Sequence, residues 1–314
     1  MVDIAQLYPE GRVTLREVGL RDGLQLVQTF PSTAAKSEWL RREYAAGVRH
    51  FEVGSFLPAA RMPQFADMRA LVALVDELPG AFSSALALNE RGARDAFTTP
   101  LDEVVCVVSA TEEHSQANAR RSRDDAIRLV GEVAAMRDAS ERKPAINVGI
   151  SMSFGCSIAG KVEPDEVIRI AERCLEVGAD IVGIADTVGF AGPRQVERLA
   201  SRMTKLCGRR PYIVHLHDTR GMGIANAAAA LDAGARVLDG SLAGLGGCPF
   251  APGATGNVVF EDLAYLCESK GFATGIDLKR LTAVRGILGT AMPQETLYGA
   301  VARAGLPPYE EWRN

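Results

Sequence analysis

The feature that most constrains this chain is an eightfold alternation of short apolar, β-forming segments with longer helical ones. A helix between two strands returns the chain to the edge where the first strand began, so successive strands run parallel. The predicted strands are residues 13–19, 48–54, 82–88, 103–109, 145–151, 181–185, 212–217 and 236–240. Eight such units close a TIM (β/α)8 barrel, and this is the fold that we predict. An open, doubly wound sheet is the alternative.

Glycines mark the places where several predicted helices end and the next strand begins. Gly47, Gly178 and Gly234 each stand between a helical segment and an apolar one. Glycine at this place adopts the left-handed conformation that ends a helix. Between the fourth and fifth strands, one long, charged helix is predicted over residues 113–137.

No linker rich in glycine, serine or proline divides the 314 residues. We therefore predict a single domain over residues 1–314, a catalytic one on the motifs described below. The barrel would span about residues 12–270, and additional C-terminal helices over about residues 271–314 would pack beside it.

Composition and charge exclude several classes of protein. A net charge of −4 and an isoelectric point near 5.7 give no reason to expect a nucleic-acid partner. The six cysteines show no CxxC pairing, which indicates reduced thiols and a cytoplasmic protein. The first residues lack a signal-peptide pattern, and no apolar run reaches the roughly 18 residues that span a bilayer. We therefore expect no membrane partner.

Two charged motifs accompany the first two predicted strands. Catalytic groups of a TIM barrel lie at the C-terminal ends of the strands and in the loops that follow them. Arg21, Asp22 and Gln25 come after the first strand, and Glu52 lies inside the second apolar segment. A buried carboxylate needs a partner, and Arg21 is the candidate for Glu52. The alternatives are a surface ion pair of Arg21 with Asp22, and a Glu52 side chain that points outward to a helix.

His215 and His217 stand two residues apart at the end of the seventh predicted strand. Side chains at this spacing leave a strand on the same face. Because the chain has only four histidines, such a pair favours metal ligation over two separate core positions. After the sixth strand come Asp186 and Thr187, where Asp186 could hydrogen-bond a metal ligand, cap a helix, or do both.

A glycine-rich loop over residues 244–257 follows the eighth predicted strand and contains Cys248. The loop lacks the GxxxxGK[ST] and GxGxxG patterns of nucleotide-binding loops, and an ordinary turn is the alternative. Asn257, at its end, adds an amide oxygen to the carboxylate and the two imidazoles. A nitrogen and oxygen ligand set without a thiolate suits Mg²⁺ or Mn²⁺, and it also admits Zn²⁺, Co²⁺ or Fe²⁺.

At these residues the chain resembles the 3-hydroxy-3-methylglutaryl-CoA (HMG-CoA) lyase family. The similarity runs in the same order over roughly residues 12–290, through the first-strand motif 17–25 and the strand 215–219. The cysteine loop, residues 244–257, is the most specific part. The first-strand motif and the His-x-His strand also occur in a wider superfamily of isopropylmalate and homocitrate synthases, aldolases and biotin-dependent carboxyltransferases.

The resemblance implies a role for each candidate residue. The metal ligands would be Asp22, His215, His217 and Asn257. The catalytic residues would be Arg21, Asp22, Glu52, His215 and Cys248. From their places after the predicted strands, we also expect Arg21, Gln25, Asp186 and Thr187 to bind the substrate.

Within that set, Arg21 would stabilise the enolate oxygen of the departing acyl-CoA, and Glu52 would hold Arg21 in place. Cys248 would lie on a mobile loop that closes over the substrate and takes part in proton transfer. The base would be His215 or Asp22, acting directly or through water, and His215 is the one that we favour.

The implied reaction is a metal-assisted retro-Claisen cleavage of an HMG-CoA-like thioester to acetyl-CoA and a keto acid, which is acetoacetate for HMG-CoA. The implied partner is therefore an acyl-CoA thioester, the implied process is leucine degradation, and a homo-oligomer is compatible with the sequence.

Three segments depart from the pattern that the resemblance leads us to expect. Leu26 stands where a polar Asn is expected. Residues 154–160 keep a Gly-Cys pair but lose the Pro-Tyr-Glu expected after it, and residues 109–115 match only loosely. These places lie near the predicted barrel mouth. They leave the acyl group open rather than the reaction, and a larger or less polar 3-hydroxyacyl chain is the alternative to that of HMG-CoA.

Two competing functions remain open from the sequence. One is a condensing enzyme or aldolase that joins acetyl-CoA or pyruvate to a carbonyl substrate. The cysteine loop and the lack of a long C-terminal regulatory region favour the lyase. The other is a non-catalytic binding barrel, which the full set of charged and metal-ligating residues argues against.

Overall fold

In the computed structural model, which describes residues 2–246, 256–308 and 312, eight strands close into one barrel. The strands are β1 (Thr14–Glu17), β2 (His50–Ser55), β3 (Phe82–Leu86), β4 (Glu103–Ser109), β5 (Ala145–Ser151), β6 (Ile181–Asp186), β7 (Tyr212–Leu216) and β8 (Val237–Gly240). Every neighbouring pair is parallel, and β1 pairs with β8 as well as with β2. The predicted barrel is confirmed, and the open sheet is wrong.

Helices surround the barrel. They are α1 (Ile4–Leu7), α2 (Thr33–Ala45), α3 (Met68–Asp76), α4 (Glu90–Ala96), α5 (Glu112–Ala119), α6 (Arg123–Asp138), α7 (Pro164–Glu176), α8 (Pro193–Cys207), α9 (Gly223–Asp232), α10 (Phe260–Ser269), α11 (Leu278–Ala291) and α12 (Ala300–Ala304). After β8, α10 packs on α9 and α11 packs on α2, so the C-terminal helices complete the ring. In the described part of the chain, none of these helices has the length and apolar character needed to span a bilayer.

The single helix predicted over residues 113–137 is wrong, because the structure has two helices there, α5 and α6. Arg120 ends α5 in the left-handed conformation, with φ of 50°. The Ser122 side chain then accepts a hydrogen bond from the Asp125 amide and starts α6. Serine at an N-cap satisfies an amide that has no partner inside the helix, so the break is encoded locally.

The predicted cap glycines are confirmed, and Gly47 shows why glycine is needed there. Its φ is +104°, a conformation that other residues rarely adopt. A Cβ at this position would stand 2.1 Å from the carbonyl oxygen of Gly275. The end of α2 can therefore approach the segment before α11 only if no side chain intervenes.

A layer of buried polar groups crosses the barrel below its C-terminal mouth. Arg16 on β1 contacts Glu103 on β4 at 2.9 Å and Asp239 on β8 at 3.3 Å. The hydroxyl of Tyr8 donates to the other Glu103 oxygen at 2.7 Å. Because each charge has an opposite charge or a hydrogen-bond donor beside it, burial of this layer is compatible with a stable barrel. The layer forms the floor on which the site described below rests.

Glu17, at the end of β1, is fully buried. Its Oε1 accepts hydrogen bonds from the amides of Gly19 (3.0 Å) and Leu242 (2.8 Å), which ties the end of β1 to the segment after β8. Its Oε2 is buried and has no hydrogen-bond partner among the described residues. Burial raises the pKa of Glu17 to about 8, so the folded protein holds a proton that the unfolded chain releases.

We expect the free energy of unfolding to fall as pH rises from about 4.5 to 8, because over this range the unfolded chain releases a proton that the folded protein keeps on buried Glu17. The stabilisation that protonated Glu17 gives the folded state is complete below the ordinary pKa of a glutamate. It is lost as pH rises through the pKa of Glu17 in the folded protein. In Glu17→Gln the amide oxygen still accepts both backbone hydrogen bonds and no proton is released, so this part of the slope disappears. Urea unfolding of both proteins at pH 5, 6.5 and 8 measures it; parallel curves would contradict the assignment.

Candidate metal centre

A single π-helical turn, Gly19–Gly23, follows β1 and carries the first charged motif. The carbonyl of Val18 accepts hydrogen bonds from the amides of Arg21, Asp22 and Gly23, which curls the chain at the barrel mouth. Gly19 permits this turn, because a Cβ there would stand 2.6 Å from the Glu17 carboxylate and 2.8 Å from the Trp39 ring. Turns of this type occur often at functional sites.

Arg21 and Glu52 form the ion pair that the sequence predicted. Nη2 of Arg21 donates to Oε2 of Glu52 at 2.9 Å, and Nε lies 2.8 Å from Oε1. The Glu52 side chain is 2% exposed, so the outward orientation considered from the sequence is wrong. Nη1 of Arg21 also contacts Asp22, and it lies 3.4 Å from the side-chain oxygen of Gln25. One hydrogen bond and one close ionic contact hold the guanidinium against Glu52, which orients its donors at the mouth.

His215 and His217 present their imidazoles to one another at the end of β7. Their Nε2 atoms are 3.1 Å apart. Oδ2 of Asp22 lies 3.6 Å from Nε2 of His217 and 4.0 Å from Nε2 of His215. One ligand atom from each of the three residues falls within 4.8 Å of the others. Ligands at about 2.0–2.3 Å from a shared ion have such separations, so the three residues can hold a divalent ion.

Asn257 reaches the same place because its backbone forms a β-bridge with His217. Its Nδ2 donates to Oδ2 of Asp22 at 2.8 Å and to the carbonyl of Leu245 at 2.9 Å. Its Oδ1 is buried and has no hydrogen-bond partner in the described part of the chain. The predicted fourth ligand is therefore beside the cluster, but the amide must rotate before its oxygen can face an ion.

The net electrostatics of the cluster favour an ionised carboxylate. Burial by itself would raise the pKa of Asp22, but the charges of Arg21 and the two imidazoles lower it well below its usual range. An anionic oxygen and two imidazole nitrogens, with an unpartnered amide oxygen beside them, fit a divalent cation.

Asp239 is a functional residue that the sequence analysis missed. Its Oδ2 lies 3.0 Å from Nδ1 of His215. A proton on Nδ1 directed at this carboxylate leaves the lone pair of Nε2 toward Asp22 and His217. Burial alone would lower the pKa of His215, but the hydrogen bond with Asp239 and the charge of Asp22 raise it. A lone carboxylate in the apolar segment 236–240 was the available signal.

Of the remaining residues predicted from the sequence, some line the cavity and one supports a loop beside it. Gln25 and Thr187 line the cavity, and the Thr187 hydroxyl also accepts from the Met152 amide at 2.8 Å. Asp186 does not line it; its oxygens accept from the amides of Phe190 (2.8 Å) and Ala191 (3.1 Å). Asp186 thus shapes the loop after β6, whereas the N-cap of α8 is Gly192.

Cys248 and most of its loop lie outside the described residues. A cavity of about 320 Å³ at the C-terminal mouth of the barrel is lined by seven of the predicted residues, which are Arg21, Asp22, Gln25, Glu52, Thr187, His215 and His217. Arg21, Glu52 and the three potential metal ligands line one side of it, and apolar side chains of β3 and β4 line the other. This volume suits a small acyl group, since it is at the low end of the range for ligand pockets.

We expect Asp239→Asn to bind Mn²⁺ about 10- to 100-fold more weakly, because an amide cannot hold the His215 ring as firmly as a carboxylate does. Calorimetric titration of the purified protein with Mn²⁺ measures this, and circular dichroism shows whether the variant is folded. Asp232→Asn is the matched control, since that carboxylate is exposed and pairs with Lys270. An unchanged affinity in Asp239→Asn would mean that His215 orients itself without this partner.

Comparison with known proteins agrees with the fold. The HMGL-like family profile matches residues 12–288. An (R)-citramalyl-CoA lyase of Chloroflexus aurantiacus is 34% identical over 95% of this chain and 96% of that protein. A 3-hydroxy-3-isohexenylglutaryl-CoA/hydroxymethylglutaryl-CoA lyase of Pseudomonas aeruginosa is 35% identical over 86% and 89%.

Among solved structures, an HMG-CoA lyase of Acinetobacter baumannii in complex with coenzyme A and 3-methylmalate aligns with a TM-score of 0.86. It is 32% identical, and the alignment covers 99% of this chain and 100% of that one. The match of the family profile over most of the sequence, on the barrel and cluster described above, shows that the chain belongs to the HMGL-like family.

Proposed function

We propose that this protein is a carbon–carbon lyase that cleaves the CoA thioester of an HMG-type 3-hydroxy acid to acetyl-CoA and a keto acid. The observation that carries the proposal is the meeting, in one cavity, of the Arg21–Glu52 ion pair with the cluster of Asp22, His215 and His217. A cation-binding cluster beside a fixed guanidinium suits a substrate that carries a hydroxyl, a carboxylate and a thioester. The family and its named relatives support the same reaction class.

Asp22, His215 and His217 would hold the ion, and a rotated Asn257 amide would complete the ligand set. We propose Mg²⁺ or Mn²⁺, because the ligands are oxygen and imidazole nitrogen with no thiolate among the described ones. Once bound, a divalent ion lowers the pKa of a substrate alcohol and orients it.

The reaction breaks one carbon–carbon bond. The C3 hydroxyl loses its proton to a base, and the C3–O bond becomes a carbonyl. The C2–C3 bond breaks, and its electron pair stays on C2 as the enolate of the acetyl thioester. C2 then takes up a proton, which gives acetyl-CoA and the keto acid. No electrons are gained or lost overall.

Arg21 would hold the developing enolate oxygen. Its guanidinium lines the cavity, and the contacts with Glu52 hold it in place. Donors that are already oriented before the reaction stabilise developing charge without reorganisation.

The base would be His215 or Asp22. The lowered pKa of Asp22 makes its carboxylate a weak proton acceptor. Nδ1 of His215 is bound to Asp239, so Nε2 is its single nitrogen facing the cavity. Nε2 can hold either an ion or a proton at one time. His215 would therefore act as a metal ligand and as a base at different times, not together.

Cys248, on the loop after β8, would take part in the proton transfer to C2, as the family resemblance implies. The acyl group would occupy the cavity, and the much larger nucleotide part of CoA would lie outside it.

The free thiols of the five described cysteines support a cytoplasmic protein.

For Arg21→Met we expect kcat to fall by about 100- to 1,000-fold, the loss that follows removal of one oriented donor at a developing oxyanion. Steady-state release of acetyl-CoA measures it. Arg94→Met is the matched control, because that guanidinium is exposed and pairs with Glu90 on the surface of α4. A near-native kcat in Arg21→Met would refute its role.

The reaction class itself is tested by incubating the purified protein with HMG-CoA, with and without Mg²⁺ or Mn²⁺, and measuring acetyl-CoA and acetoacetate. We expect equal amounts of both products, and none after treatment with a chelator. A parallel reaction with acetyl-CoA and 2-keto acids measures release of free CoA. Condensation without cleavage would overturn the lyase in favour of a synthase.

A further inference from the structure

The cavity continues below the metal centre into the interior of the barrel. Two inward positions on adjacent strands are glycines, Gly149 on β5 and Gly183 on β6, and they are partners in the same register. The interior of a TIM barrel is normally filled by layers of side chains contributed by alternate strands. Here one such layer has no side chain at two neighbouring positions.

Gly149 is not required by its backbone. Its φ lies outside the left-handed region, and a Cβ there would meet nothing nearer than the Cys106 carbonyl oxygen at 3.9 Å. At Gly183 the space is tighter, because a Cβ would stand 3.2 Å from Ile213. The space that a side chain could enter is therefore at Gly149, where the chain has no side chain.

The walls of this space are apolar. We call it the recess, and it is bounded by Leu86, Val105, Val107, Gly149 and Ile213. Val107 is the register partner of Gly149 on β4, so the two residues stand at the same depth. A substrate carboxylate would lose its hydration against these apolar walls, whereas an alkyl group would gain from burial there.

The floor of the recess is polar. Asn147 lies two residues before Gly149 on the same face of β5, about 7 Å deeper along the strand. Its Oδ1 is buried without a hydrogen-bond partner among the described residues. Arg16 lines the cavity at this end, with Glu103 and Asp239 beside its charge. This floor limits how far an apolar chain can extend.

We propose that the recess receives an apolar substituent on C3 of the substrate that is longer than methyl. The inference rests on the proposed function, in which C3 carries the hydroxyl, the carboxylate arm and the carbon joined to the thioester. In that proposal the hydroxyl and the carboxylate arm would face the ion held by Asp22 and the imidazoles, and the thioester oxygen would face Arg21. The fourth group would have no such partner, and the recess is the apolar part of the same cavity. The relatives named above act on different acyl groups, so family membership leaves this choice open.

The substrate class is tested with HMG-CoA and its analogues in which propyl or pentyl replaces the C3 methyl group. We expect kcat/KM for the unaltered protein to rise by about fourfold for each added methylene, until the chain meets the polar floor. An analogue with a terminal carboxylate on that chain should be cleaved poorly. Preference for methyl over both longer chains would overturn the proposal.

Gly149→Val fills the recess from β5, and we expect the ratio of kcat/KM for pentyl over methyl to fall at least tenfold, mainly through KM. Gly286→Val is the matched control, since a side chain there meets nothing, and it should leave the ratio unchanged. Val107→Phe fills the same space from β4 and should lower the ratio in the same direction, so the test survives if one variant fails to fold. An unchanged ratio in a folded variant would contradict the proposal.

The same panel of thioesters separates a failure of the proposed function from a failure of the proposed recess. If no thioester in the panel is cleaved with Mg²⁺ or Mn²⁺ present, the proposed function is wrong. If HMG-CoA is cleaved and the longer chains are not, the lyase stands and the recess has another purpose.

Discussion

The pairing of β1 with β8 is the constraint on which the whole site depends. It closes the sheet, and closure places the end of the first strand beside the ends of the seventh and the eighth. Asp22 and Asn257, 235 positions apart in the chain, therefore lie within 2.8 Å of one another. Glu17 reinforces the same junction by binding the Leu242 amide. Without closure the cation ligands would be spread along an open edge, and no common centre would exist.

The buried polar layer connects the stability of the barrel to the orientation of the site. Arg16 holds Asp239, and Asp239 holds the His215 ring, so a structural ion pair sets the direction of a potential ligand. Gly149 leaves space in the interior where a side chain would otherwise pack. The interior of this barrel is thus divided into a charged floor, an apolar recess and a cation-binding mouth.

Much of the site was predictable, because its residues occupy places that local patterns identify. The ends of parallel strands meet at one rim, so Arg21, Glu52 and the His-x-His pair could be brought together from the sequence alone. Other features needed coordinates. Asp239 is a lone carboxylate in an apolar strand, and its contact with His215 shows which residue it orients. The break between α5 and α6, by contrast, has a local signal in the Ser122 cap, which the prediction of one long helix overlooked.

The sequence by itself determined the alternation of strands and helices, the residues that carry charge at strand ends, and the glycines that end helices. These follow from interactions among neighbours in the chain. Only the tertiary structure decided that Asp186 binds its own loop, that the Asn257 amide presents nitrogen to Asp22, and that Gly149 opens a void. Those outcomes depend on which atoms fill the space around a side chain, and that space is made by strands distant in the sequence.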